Sequence, residues 1–435
     1  MKPENHMPLD LSTEVAVRWN DCDAKYIPLL KEGGITAVLL PSGNEAFEKA
    51  CREAGLKVQA LAEIQLLSLA SINSAPSGAL VALTNGLWPG VSRRPSEGSD
   101  VFVASATARP WVDSNGYWLG ILRALYPKRP ALLGYLPDDK AGVKPDALLP
   151  YSSLELALVE AWVNGGNYLL ALEPRYHEKL LGGEAKALEA WRQMGRTAQW
   201  LGKNASLFRQ PTFPTVTALV EPDEGLAEIV NLLYRHNVSP ALVNAANPPA
   251  PDPLHRLALV AVSIHPPDAG MRRRLLSHAE AGTTLIVDAP GADAWWRDSR
   301  LKRVRSQEDR DFYSLGRGQV VAYHEQISDP GEFAFDVIDI VTQKRRAARL
   351  WNGEEVIARA TACPQGVNGG RALLLLVNYG YRLYGEALAG IQGNYTRASL
   401  LRPEGAPLSL STSKRGTATE VRIPELGHVG VLVLG

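Results

Sequence analysis

The chain has 435 residues, enough for two or three domains, and 46% of them are hydrophobic. Its 46 Lys and Arg balance 46 Asp and Glu, so it lacks the basic excess of a dedicated nucleic-acid or acidic-membrane binder. No apolar run approaches the ~20 residues needed to span a bilayer, and three scattered cysteines, Cys22, Cys51 and Cys363, form neither a disulfide framework nor a zinc-site spacing.

The opening MKPENHMPLDLST lacks the apolar core of a signal peptide, which leaves the compartment open. A strand–helix rhythm then begins. Strands are expected at Glu14–Trp19, Thr36–Pro41, Lys57–Glu63, Ala79–Asn85 and Val101–Ser105. Helices are expected over Ala24–Glu32, ending at Gly33-Gly34, over Asn44–Ala54, closed by Gly55, and over Ser114–Tyr126. The stretch Pro130–Pro174 is the most informative. An apolar strand, Ala131–Leu136, precedes a polar loop; Ser152 and Glu155 have capping-box spacing, and Leu154, Leu158, Ala161 and Trp162 recur at the spacing of an amphipathic helix. Asn164-Gly165-Gly166 supplies a left-handed stop, and Asn167–Glu173 is a second apolar strand. A helix over Glu184–Lys203 closes the segment.

Near-continuous apolar strands alternating with helices imply a parallel sheet covered on both faces. Seven strand candidates suggest a (β/α)8-type barrel with some helices shortened and one strand unaccounted for; an open doubly wound sheet is the competing arrangement. The Pro-marked Arg209–Pro214 reads as a boundary. Beyond it, strands at Thr215–Glu221, Ala241–Asn244, Leu257–Ile264, Thr283–Asp288 and Gln319–His324 alternate with helices at Gly225–His236, Ala269–Ala281 and Phe333–Lys344, a Rossmann-like α/β layer. From about Arg345 short alternating strands, among them Arg371–Tyr379, Arg397–Leu401, Thr419–Ile423 and Val429–Leu434, read as a small all-β sandwich. The expected domains are therefore 1–211, 212–345 and 346–435.

This order, together with EAWVNGGNYLLALEP (Glu160–Pro174) and HAEAGTTLIVDAP (His278–Pro290), resembles the multidomain glycoside hydrolases of the β-galactosidase type. Their middle domain looks like a class I glutamine amidotransferase. The resemblance implies a carbohydrate ligand at the C-terminal face of the barrel, no cofactor, and self-association through the middle domain into a homo-oligomer. It also exposes two departures. The family's acid/base glutamate follows an asparagine after the fourth strand, whereas here Asn85 is followed by Gly86. Glycosidic cleavage needs a proton-donating carboxyl and a second carboxylate about 5–10 Å away, and glycine supplies neither. The middle domain also lacks the amidotransferase cysteine, so it reads as structural or oligomerising.

Candidate site residues lie at the ends of the strands, where barrel enzymes gather their chemistry. Asp113 and Glu173 are the carboxylate pair expected of an active hydrolase. Trp88, Trp111 and Trp118 are candidate platforms for a pyranose face, and Asn85, Arg109, Asn115, Asp139 and Arg175 would take its hydroxyls. Helix capping accounts for Asp113, and pairing with Arg175 accounts for Glu173, without any chemistry. Asp21 and Asp23 flank Cys22 in a loop, and Asp138-Asp139 follows Pro137 as a turn. Trp162 and Trp191 sit at core spacing, and the Arg300–Arg305 cluster reads as a solvated face. No HExxH spacing or phosphate-binding glycine loop is present, so no metal site is expected.

Overall fold

The computed structural model describes residues 9–41, 44–76, 78–89, 115–145, 147–288, 294–339, 346–353, 355–365, 367, 369–380 and 385–435. The chain forms two compact units, one made of Met1–Arg93 with Lys128–Arg209, the other of Arg94–Pro127 with Gln210–Gly435.

In the first unit β1 (Ala16–Arg18), α1 (Ile27–Glu32), β2 (Ala37–Leu40), α2 (Glu45–Glu53) and β3 (Lys57–Ala60) repeat the expected rhythm. A 3-10 turn, Leu61–Glu63, leads straight into β4 (Ile64–Leu67), and β5 (Leu80–Leu83) follows. The next helix in sequence, α3 (Asn115–Leu125), is a member of the other unit. The first unit resumes with β6 (Leu132–Leu133), α4 (Ser153–Val163), β7 (Asn167–Tyr168), α5 (Pro174–Leu181), α6 (Ala185–Lys203) and α7 (Ala205–Phe208).

Every strand pairing here is parallel, in the orders β1-β2-β3 and β4-β5-β6-β7. A bridge from Val17 to Leu170, just past β7, joins the two sets. The stretch read from sequence as one strand, Lys57–Glu63, is instead a kinked run: β3 pairs with β2, and β4 pairs with β5. Inward residues of both sheets, Ala16, Ala37, Leu39, Ile64, Ala82, Leu132 and Leu169, meet in a single apolar cluster with Leu11. Burial of each larger aliphatic side chain there contributes roughly 1.5–3 kcal/mol. Asn167, wholly buried, ties the N-terminal side of the strands. Its Nδ2 donates to the carbonyls of Leu11 and Glu14, both at 2.7 Å, and its Oδ1 accepts from Trp162 Nε1 at 2.9 Å.

The capping box expected at Ser152 and Glu155 does not form. Ser152 makes no side-chain cap bond, and Glu155 turns inward to accept from Thr197 on α6 at 2.6 Å. All eleven residues of α4 are buried, Glu155 and Glu160 included, so the helix is enclosed on every side rather than amphipathic. In that setting a buried hydrogen bond outweighs a cap that water can replace. The stop at Gly165 is as expected, with φ of 76°.

The second unit carries a seven-stranded sheet of order β12-β13-β14-β11-β10-β8-β9. Its elements are β8 (Val216–Val220), α8 (Ala227–Arg235), β9 (Ala241–Asn244), β10 (Ala258–Ala261), α9 (Ala269–Ala281), β11 (Thr284–Val287), β12 (Lys302–Ser306), β13 (Arg310–Leu315), β14 (Gly318–Tyr323) and α10 (Pro330–Val337). The run β9-β8-β10-β11-β14 is parallel, while β13 and β12 return antiparallel. Helix α9 is capped by Asp268, which accepts from the Met271 amide at 2.8 Å, and ends at Gly282. Helix α3 packs against β9 and α8, an association that chain order does not foretell. The residues of β12 are all exposed, so the solvated basic cluster at Arg300–Arg305 is in large part an edge strand.

Two antiparallel sheets complete this unit. One has the order β15 (Ala348–Trp351), β18 (Ala387–Gln392), β22 (Ala418–Ile423), β21 (Thr412–Arg415). The other runs β16 (Val356–Ala362), β17 (Ala372–Asn378), β23 (Val429–Leu434), β19 (Ala398–Leu401), β20 (Leu408–Leu410). Leu350, Ile391 and Val421 of the first share one core with Leu374, Leu400 and Leu432 of the second. The chain is thus mixed α/β, with parallel and antiparallel sheets.

Candidate functional site

The C-terminal ends of the first unit's parallel strands bring together Arg18, the Trp19–Asp23 loop, Asn85–Trp88, Gly134–Leu136 and Leu170–Arg175. Ala16 belongs to the core cluster, so Arg18, two residues on, faces the same interior. Its Nη2 donates to the Gly134 carbonyl, while its Nε is buried without a hydrogen-bond partner among the described residues. A Cβ at position 134 would lie 2.9 Å from both Arg18 Nη2 and Leu66 Cδ2, so the side chain reaches across to β4 and β6 only because residue 134 is glycine. Burial lowers the proton affinity of the guanidinium, and the Tyr168 hydroxyl partly restores it.

Tyr168, which acts on Arg18, belongs to a group of three aromatic rings. Tyr135 and Tyr168 stack with centroids 4.7 Å apart, and Trp88 meets them edge-on at 6.1 and 6.3 Å. The Tyr168 hydroxyl donates to the Tyr135 carbonyl at 3.1 Å, and its burial raises its proton affinity. Trp88 is only 3% exposed, and its Nε1 finds no partner among the described residues. Its ring is packed against tyrosines rather than presented as an open platform.

Asn85 supports this loop from within, its Oδ1 accepting from the Leu69 amide at 2.7 Å. Gly86 lies under the Tyr135 ring. A Cβ there would sit 1.9 Å from Tyr135 Cδ1, inside the ring's own atoms. The space for a side chain at position 86 is already occupied.

Glu173 caps α5, accepting from the amides of Arg175 and Tyr176 at 2.9 Å each, and its carboxylate lies 3.9 Å from Arg175 Nε. Arg175 also donates to the Leu149 carbonyl at 3.3 Å. Asp138 caps the short turn that holds the exposed Asp139. Asn115 and Trp118 lie on α3 and are buried within the second unit, at 1% and 5% exposure. Arg109, Trp111 and Asp113 lie outside the described residues, and with them the separation between Asp113 and Glu173.

Sequence reasoning passed over two features of this rim. The first is Arg18, read simply as part of a strand. The second is His177, whose Nε2 lies 3.1 Å from Asp21 Oδ2 at an angle that makes no hydrogen bond, with its ring edge-on to Trp19 at 5.0 Å. The available signals were a lone charge in inward register with Ala16, and a histidine in the first helix after the last strand. Among the described residues no three His, Cys, Asp or Glu side chains are grouped so as to hold a metal ion, and no helix is long and apolar enough to cross a membrane.

No protein-family model matches the chain, and no curated protein matches it by sequence. Solved structures do. α-L-Fucosidase isoenzyme 2 from Paenibacillus thiaminolyticus superposes with a TM-score of 0.52 at 11% identity, covering 90% of this chain and 71% of that one. A GH42 β-galactosidase from G. stearothermophilus, solved as a catalytic mutant, gives 0.51 at 10% identity, covering 90% of this chain and 66% of that one. The fold is therefore glycoside hydrolase-like, and at such identity the likeness extends to the fold alone.

Proposed function

We propose that this chain is a carbohydrate-binding protein on a glycoside hydrolase framework, receiving its ligand at the C-terminal ends of the first unit's strands. On this reading the acid/base step has been lost at position 86. The observation that carries it is the Tyr135 ring over Gly86, which fills the place a proton-donating side chain would need. The seven strands described for this unit are read as a degenerate barrel; the expected strand Val101–Ser105 lies outside the described residues. Two facts support this: inward residues of both sheets share one core, and the kinked β3–β4 run pairs on one side with β2 and on the other with β5. The inward-facing Leu66 is 37% exposed, an apolar surface at the open end against which a sugar ring could lie. Asn85, Asp139 and Arg175 remain the proposed ligand-facing set of this unit, and Trp88 serves as packing for Tyr135 and Tyr168.

The second unit's α/β layer is read as amidotransferase-like within domain boundaries of 212–345 and 346–435, serving structure or self-association rather than glutamine hydrolysis. Its parallel order β9-β8-β10-β11-β14 supports that reading.

Calorimetry against a glycan panel, run beside aryl-glycoside assays, tests the proposal. Binding without turnover is expected. Turnover that vanishes in Asp113→Asn and Glu173→Gln would replace the proposal with hydrolysis by that pair, and a panel with no binder would end the saccharide reading.

A further inference from the structure

We infer that the saccharide received at this rim carries an anionic group, a carboxylate or sulfate, and that Arg18 binds it. The inference rests on the carbohydrate reading above and narrows it to acidic sugars. Arg18 projects from β1 into the interior end of the strands, where its neighbours are Leu66, Ala82 and the backbone of Gly134. Among the described residues no carboxylate pairs with it, and the acceptor it does reach is a neutral carbonyl. The arginines of this unit that do meet a carboxylate, Arg52, Arg175, Arg192 and Arg196, lie on a helix surface or at a helix end.

A cation drawn out of water without a counter-charge is costly, and proteins ordinarily keep such groups paired. Here the side chain is half-buried rather than sealed, and the inward Leu66 beside it is 37% exposed. The guanidinium is planar and carries five N–H donors, a geometry suited to two oxygens of one carboxylate or sulfate. The missing anion therefore enters with the ligand, whose apolar ring face meets Leu66.

The test compares matched pairs by calorimetry: oligogalacturonate against neutral galacto-oligosaccharide, and a sulfated oligosaccharide against its unsulfated parent, with inorganic sulfate as competitor. The acidic member should bind roughly 10- to 100-fold more tightly, lose that advantage in Arg18→Met, keep only part of it in Arg18→Lys, whose ammonium lacks the two-pronged geometry, and weaken with added salt. Thermal melting of each variant separates lost binding from lost folding. Should Arg18→Met fail to fold, competition by sulfate on the unaltered protein carries the test, and no competition overturns the inference. Neutral and acidic sugars binding alike would overturn it while leaving the carbohydrate reading intact. Arg18-dependent binding of sulfate with no glycan bound would sink the carbohydrate reading and keep the anion site.

Discussion

The parallel strands of the first unit and the paired antiparallel sheets of the second hold themselves together by different means. β6 and β7 contribute two residues each to their ladder, whereas β16 and β17 run for seven residues each in unbroken register. The antiparallel sheets have long ladders and a shared aliphatic core, to which the buried Asn378 and Thr419 add side-chain bonds to the Leu426 and Gly393 carbonyls at 3.1 and 2.8 Å. In the first unit side chains supply part of the cross-linking that short ladders lack. Asn167 joins four partners at one end of the strands, and Arg18 reaches across at the other. The short ladders leave the strand ends free to carry loops, and the candidate site lies in those loops.

Asn167→Ala should break this contrast most severely. It strands buried donors and acceptors worth ~1–3 kcal/mol apiece, for a total loss of at least about 3 kcal/mol. Leu374→Ala, a cavity in the antiparallel core, should cost ~2–5 kcal/mol. Hydrogen exchange should show loosened protection in β1–β7 alone for the first variant and in β15–β23 alone for the second. Loss throughout the chain from either would mean that the two units unfold as one.

A smaller effect is expected at the rim. Gly86→Ala should cost about 1–3 kcal/mol through collision with Tyr135. Combined with Tyr135→Ala, the two losses should sum to less than their parts in chemical denaturation, since one removes the obstacle the other meets. Strict additivity would show that the ring does not hold that space. Smallest of all, Glu173→Ala should cost about 1 kcal/mol by uncapping α5, with Glu173→Asp close to the unaltered protein. A melting-curve loss several times larger would assign Glu173 contacts beyond its cap.

Much of the architecture was legible because strand and helix periods alternate cleanly and glycines mark the stops, as at Gly165 and Gly282. What was misread has identifiable causes. Lys57–Leu67 is apolar on both sides of its kink, so nothing in the period announces that β3 ends and β4 begins. Lys302–Ser306 is too polar to look like a strand, because it is an edge strand with no face to bury. Helix α3 has an apolar surface whose partner, β9, lies more than a hundred residues away in sequence. At the site, loop position revealed Trp88 and Glu173 as strand-end residues. Their burial, their capping and the fit of Tyr135 over Gly86 are properties of packing, which one-dimensional spacing does not encode.

The basic edge strand has a consequence for assembly. Lys302, Arg303 and Arg305 stand exposed along the outermost margin of the seven-stranded sheet, and the pairing with β13 slips between Arg303 and Arg305. A second copy offering its own β12 would bring like charges together across an irregular border, so the sheet resists growing by recruitment of another strand. At this margin, at least, the uncontrolled stacking that a free sheet edge invites is disfavoured.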